Sequence, residues 1–170
     1  MPVQLIVGAA GAPGVTTTAL GLALRCDGPV LLVDASRDAS QAVLAGYLGG
    51  TSAAKSGLEE FARRRRMGAP FDLEAATVAL DEDGIRRFLP GFGHLGAADL
   101  FEPAWPDLAV VLRRLADEGT LVIVDAGRGT SSRSLDPLVR VSDDVLLVAR
   151  TSLRHLAAAR PVCEVLAPLV

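Results

Sequence analysis

The amino-acid sequence predicts an α/β domain, a doubly wound and mostly parallel sheet with helices on both faces. Three observations lead there. Short apolar runs alternate with helix-patterned stretches along the chain, the order that parallel strands joined by crossover helices produce. Four runs, Leu5-Ile6-Val7, Val30-Leu31-Leu32-Val33, Leu121-Val122-Ile123-Val124 and Val145-Leu146-Leu147-Val148, are continuously apolar, which fits strands covered by helices on both faces. The first run passes directly into a glycine-rich turn and then an Ala/Leu stretch, a strand–turn–helix order that aims backbone N–H groups at an anion.

Strands are placed at residues 3–7, 30–34, 85–89, 121–125 and 145–149. Helices are placed at residues 16–25, 40–48, 58–67, 72–80, 107–118, 134–141 and 153–166. In the helix from Asp107, the residues Leu108, Val111, Leu112 and Leu115 recur at i, i+3, i+4 and i+7, with Arg113 and Arg114 off that stripe. Pro161 is expected to kink or shorten the last helix. Gly49-Gly50-Thr51-Ser52 and Pro90-Gly91-Phe92-Gly93-His94 read as loops. A chain of 170 residues is expected to fold as one domain over residues 1–170. It stops after a helix where this fold class expects a further strand–helix unit, so it reads as a trimmed or a minimal version.

Half the residues are hydrophobic and 4% are aromatic, so the core is expected to be built from Ala, Val and Leu. The net charge of −3 gives no overall pull towards nucleic acid or anionic lipid. Cys26 and Cys163 stand far apart, with no C-x-x-C pair, and read as two buried free thiols in a reducing compartment. No secretory leader precedes the first strand, and no apolar run approaches the roughly 20 residues that cross a bilayer. A cytoplasmic protein without a transmembrane segment is expected.

The turn Ala9-Ala10-Gly11-Ala12-Pro13-Gly14-Val15-Thr16-Thr17-Thr18 carries the chemistry. A phosphate loop reads G-x-x-x-x-G-K-[ST], with its lysine on the β- and γ-phosphates and its hydroxyl on Mg²⁺. Here Gly14 and Thr16 hold the last glycine and the hydroxyl, while Ala9 holds the first glycine and Val15 the lysine. Sixteen of the seventeen basic residues are arginine, and the lone lysine, Lys55, lies elsewhere. Arginine at position 15 would have kept the charge; valine does not.

Three motifs in order resemble one family. Ala10-Gly11-Ala12-Pro13-Gly14-Val15-Thr16-Thr17 aligns with K-G-G-x-G-K-T-T, the deviant Walker A loop of ParA/MinD-type P-loop ATPases. Leu31-Leu32-Val33-Asp34-Ala35-Ser36 lies where that family has an acidic D-x-D segment. Leu121-Val122-Ile123-Val124-Asp125-Ala126-Gly127-Arg128-Gly129 is similar to its Walker B strand and switch, D-x-x-x-G. The resemblance implies a P-loop NTPase-like fold and a nucleotide site at Gly11, Gly14, Val15, Thr16, Thr17, Asp34, Asp125 and Gly129. It implies Thr16 and Asp125 as Mg²⁺ ligands, and Asp34 as a switch carboxylate. The departures fall on the catalytic machinery: the family's signature lysine falls at Ala10, its second lysine at Val15, and the second acid of D-x-D at Ser36, with Asp38 two residues on as a stand-in. The chain most resembles degenerate members without P-loop lysines, such as the TadZ/CpaE-like localisation proteins of pilus assembly and small actinobacterial MinD-like proteins.

Each missing lysine removes a charge-assisted phosphate contact of roughly 1.5–3 kcal/mol. Catalysis suffers more than binding, because phosphoryl transfer depends on neutralising developing charge, and Pro13 takes one N–H from the cradle. The expectation is a non-catalytic module that positions or scaffolds a larger assembly as a homodimer or with a protein partner, with weak or absent binding of ATP and Mg²⁺. The alternative is a slow ATPase that uses arginine, Arg128 or Arg133, in place of the lysines. Asp125 is the strongest single candidate of the site, with a carboxylate that caps its loop without metal as the competing reading. Arg63-Arg64-Arg65-Arg66 follows Glu59-Glu60 and points around the helix, so it reads as a solvated helix end and nucleic acid is not an expected partner. His94 and His155 read as a loop and a structural histidine, and Trp105 as the cover of a core edge at a helix start.

Overall fold

The structure, a computed structural model, describes residues 1–9, 11–39, 42–50, 57–94, 96–128 and 135–169. Six strands form one sheet in the order β3-β4-β2-β5-β1-β6. β1 (Val3–Gly8), β2 (Val30–Asp34), β4 (Arg86–Leu89), β5 (Leu121–Asp125) and β6 (Asp144–Val148) run parallel, and β3 (Val78–Ala79) adds antiparallel to β4. Helices α1 (Val15–Arg25), α2 (Gly57–Arg66), α3 (Leu73–Ala76), α4 (Ala97–Phe101), α5 (Trp105–Asp117), α6 (Asp136–Arg140) and α7 (Leu153–Leu166) connect them. This is the doubly wound architecture the apolar runs predict. β1 and β5 are neighbours, so the glycine-rich turn and Asp125 meet at the carboxyl end of the sheet.

β2 and β5 are buried at every position, as continuously apolar strands should be. β6 is not. Among the described residues it pairs only with β1, and α7 buries just Ala159 and Val162, so Leu146 remains 41% exposed. A continuous apolar run here marks an edge strand. Cys163 is exposed on that same lightly packed helix and Cys26 is half-buried, which corrects the expectation of two buried thiols.

The two sides of the sheet carry different cores. Under α1 it is mainly aliphatic, with Ile6, Val15, Ala19, Val30, Leu32 and Ile123 and a single phenylalanine, Phe88, among its buried residues. On the side of α2, α4 and α5 it is partly aromatic, with Phe61, Phe92, Phe101 and Trp105. Trp105 starts α5 as expected, but it is fully buried at the centre of this cluster, 4.6 Å from the Phe101 ring. Its indole N–H has no hydrogen-bond partner among the described residues, which costs about 1–3 kcal/mol.

Two expected helices differ, and one expected break does not occur. The segment placed at 72–80 is helical only over α3, because Thr77-Val78-Ala79 turns into β3 and Val78 pairs with Phe88. Thr77 Oγ1 closes α3 on Leu73 O and accepts from Arg87 Nε, so the β-branched residue stops the helix and starts the ladder. The segment placed at 40–48 is a π-helical turn over Val43–Tyr47, with Leu48 N bonded to Val43 O five residues back. Pro161 does not shorten α7, which runs on to Leu166; the residue four positions before it, whose carbonyl a proline cannot serve, is the exposed Ala157.

Candidate functional site

Gly14 caps α1 at φ 99° and Gly11 sits at φ 67° on the loop before it, both in the left-handed region that glycine adopts without strain. No side chain caps α1 and no acid occupies its first turn. The N–H groups there, and the positive end of the helix dipole, are left for a ligand or water. A cavity of about 280 Å³ opens above them, with Gly14, Val15, Thr16 and Thr17 on one wall and Ser36, Asp38, Gly127 and Arg128 on the other.

Val15, at the lysine position, offers this space very little of its surface. It is 3% exposed and joins the aliphatic core with Ile6 and Ala19. A Cβ on Gly8 would lie 2.8 Å from Val15 Cγ2, so the end of β1 must be glycine for this valine to pack. The side chain is turned down towards the sheet.

Behind the cavity stand two carboxylates. Asp34 and Asp125 are register partners at the ends of β2 and β5. Asp125 is 2% exposed; it accepts from the Thr16 hydroxyl and, through Oδ1, from Gly127 N at 2.9 Å. Burial raises its pKa, and those two donors pull it part of the way back. Asp34 is pushed up to about 7, first by burial and then by Asp125 beside it, against the pull of the Ser36 N–H at 3.1 Å. Gly91 lets this carboxyl group pack: a Cβ there would lie 2.8 Å from Asp34 Cγ.

The structure therefore brings Gly14, Val15, Thr16 and Thr17 to one cavity and joins Asp125 to it through Thr16. Gly11 shapes the loop without lining the cavity, and Asp34 lies beneath Ser36. Ala10, Lys55, Gly129 and Arg133 lie outside the described residues. Motif reading left Gly127 and Gly91 without a role. Gly127 holds φ 62°, donates to Asp125, accepts from Gly8 N at 2.9 Å, and leaves no room for a Cβ beside Ser36 Oγ at 2.7 Å. Ser36 in turn accepts from Asp38 N at 3.2 Å, so the residue at the second acid position shapes its loop.

No family model and no curated protein matches the sequence. Solved structures do. The ParA family ATPase from Chlorobium tepidum superposes with a TM-score of 0.73 at 19% identity, over 96% of this chain and 67% of that one. The shared property is the fold. The McdA(D38A)–ATP complex from Cyanothece gives 0.68 at 22% identity over 99% and 65%, and the kinase domain of the Escherichia coli tyrosine kinase ETK gives 0.68 at 19% over 97% and 62%. The chain thus spans about two thirds of these proteins and has the P-loop NTPase-like architecture of ParA-type ATPases.

Mg²⁺ fits the donors present in one respect. Thr16 and Asp125 already touch, and a divalent cation would relieve the crowding of two buried carboxylates. Among the described residues no group of three or more His, Cys, Asp or Glu forms a cage, so the ion would need ligand phosphates to complete its shell.

Proposed function

We propose that the chain is a non-catalytic ParA/MinD-like module, of the degenerate kind that TadZ/CpaE-like proteins represent. It positions or scaffolds a larger assembly through contacts with a second copy or a protein partner. Among the described residues no helix is long and apolar enough to cross a membrane, and we place the module in the cytoplasm. ATP, with Mg²⁺ on Thr16 and Asp125, binds weakly at the cavity behind Gly14. One observation carries this reading: the lysine position of the loop holds a valine packed into the core. Backbone donors and the helix dipole remain to hold a phosphate, yet no cation on α1 is placed to neutralise charge that develops on the γ-oxygens.

Calorimetric titration with ATP and Mg²⁺, run beside a phosphate-release assay, tests it. Weak binding without turnover is expected; micromolar or tighter binding with steady phosphate release overturns it. A slow ATPase is the second reading, favoured by Arg128 on the cavity wall. Turnover that disappears in Asp125→Ala would establish that reading.

A further inference from the structure

We propose that Arg128 is the cation of this cavity, supplying from the loop after β5 the positive charge that the α1 wall lacks, so that the site holds a phosphate-bearing anion such as ATP. The inference rests on the cavity being a phosphate site and deepens that reading: binding is weak, real and dependent on Arg128.

Four observations converge. Arg128 lines the same cavity as the start of α1. Its side chain is exposed and makes no ion pair among the described residues, so the guanidinium is available to a ligand in the cavity it lines. Its backbone is held in place, because the preceding Gly127 is tied to Asp125 and Gly8 and packed against Ser36. Finally, an anion held here would meet little positive charge from the rest of the site. Behind the cavity lie Asp34 and Asp125, and Asp38 stands on its rim. Only about half an elementary charge from the helix end opposes them. An arginine answers this well: it stays protonated and grips phosphate oxygens two at a time.

The test is calorimetric titration of the wild-type chain, R128A, R128Q, R128K and the control R66A with ATP and Mg²⁺ at low ionic strength, with thermal melts to confirm folding. Arg66 is exposed on α2, so R66A makes the same change in net charge away from the cavity. R128A and R128Q are expected to weaken binding about 10–100-fold, R128K to recover part of it, and R66A to bind as the wild type does. Equal binding by R128A and wild type overturns the inference, as does an equal loss in R66A or no detectable binding by the wild type. Phosphate release separates the two proposals. Turnover in the wild type that R128A abolishes sinks the non-catalytic reading and keeps Arg128 as the cation; turnover that R128A leaves intact sinks both.

Discussion

The two walls of the cavity contrast. Behind the wall made by the ends of β2 and β5, Asp34 and Asp125 are buried and hydrogen-bonded. On the wall made by the end of β1 and the start of α1, the position of a phosphate-gripping lysine holds an isopropyl group turned into the core. Features made by backbone, the left-handed glycines and the uncapped helix start, persist on both sides because the fold itself needs them. Side-chain charge is a separate property: two acids lie behind the cavity, and the start of α1 carries no cation. Two neighbouring buried acids are a standing cost to the folded state.

That cost gives the largest expected effect. Asp34 is raised to about 7 in the fold against an ordinary value near 4 in the unfolded chain. Between those limits the folded state holds a proton that the unfolded state has released, so stability falls as pH rises from about 4 to about 7 and then levels off. Asp34→Asn keeps an acceptor for the Ser36 N–H and removes the charge. Denaturant unfolding should show it more stable than wild type at pH 8, by up to about 4 kcal/mol, with the difference vanishing near pH 4. A destabilised variant at pH 8 would mean that the acid wall is already neutralised.

How much of this was legible in the sequence follows the same division. β1, β2 and β5 could be read because their apolar runs are continuous, and the places of Gly14, Thr16 and Asp125 because each follows such a run. β3 could not: two residues become a strand only when β4 supplies the ladder, and Thr77 decides between helix and strand through a partner on β4. The seats of Asp34 on Gly91 and of Ser36 on Gly127 join residues from separate loops, and no local pattern announces them. Nor does the sequence say which way Val15 points, since its direction is set by the missing Cβ of Gly8.

The contrast can next be reversed on the bare wall. Val15→Lys should tighten ATP binding about 10–100-fold, as the lysine stem lies along the apolar surface and carries its ammonium into the cavity. Losing the buried valine should cost about 1–2 kcal/mol of stability in the same melts. No gain in affinity would show that the missing charge is not what limits the site. A smaller effect is expected at the joint between the walls. Thr16→Val removes the hydroxyl that Asp125 accepts from, costing about 1–2 kcal/mol at pH 8. The donor favoured the ionised carboxylate, so the loss should shrink in acid; a pH-independent loss would point to packing instead.

The smallest effect belongs to a carboxylate shifted the opposite way outside the cavity. Glu60 on α2 is held down at about 2 by hydrogen bonds from Arg63 and then Arg64. Its contribution to stability is present above the ordinary glutamate value and lost as pH falls from about 4 to about 2, the reverse of Asp34. Yet Arg63 is exposed and water screens the pair, so Glu60→Gln should cost less than about 1 kcal/mol at pH 7. Comparing Glu60→Gln with Asp34→Asn in one denaturant series separates the size of a pKa shift from its energetic weight. Burial of the pair, which desolvates Asp34 beside Asp125 and leaves Glu60 at the surface, decides how much of a shift reaches stability. A loss at Glu60 as large as the gain at Asp34 would break that argument and with it the contrast between the two walls.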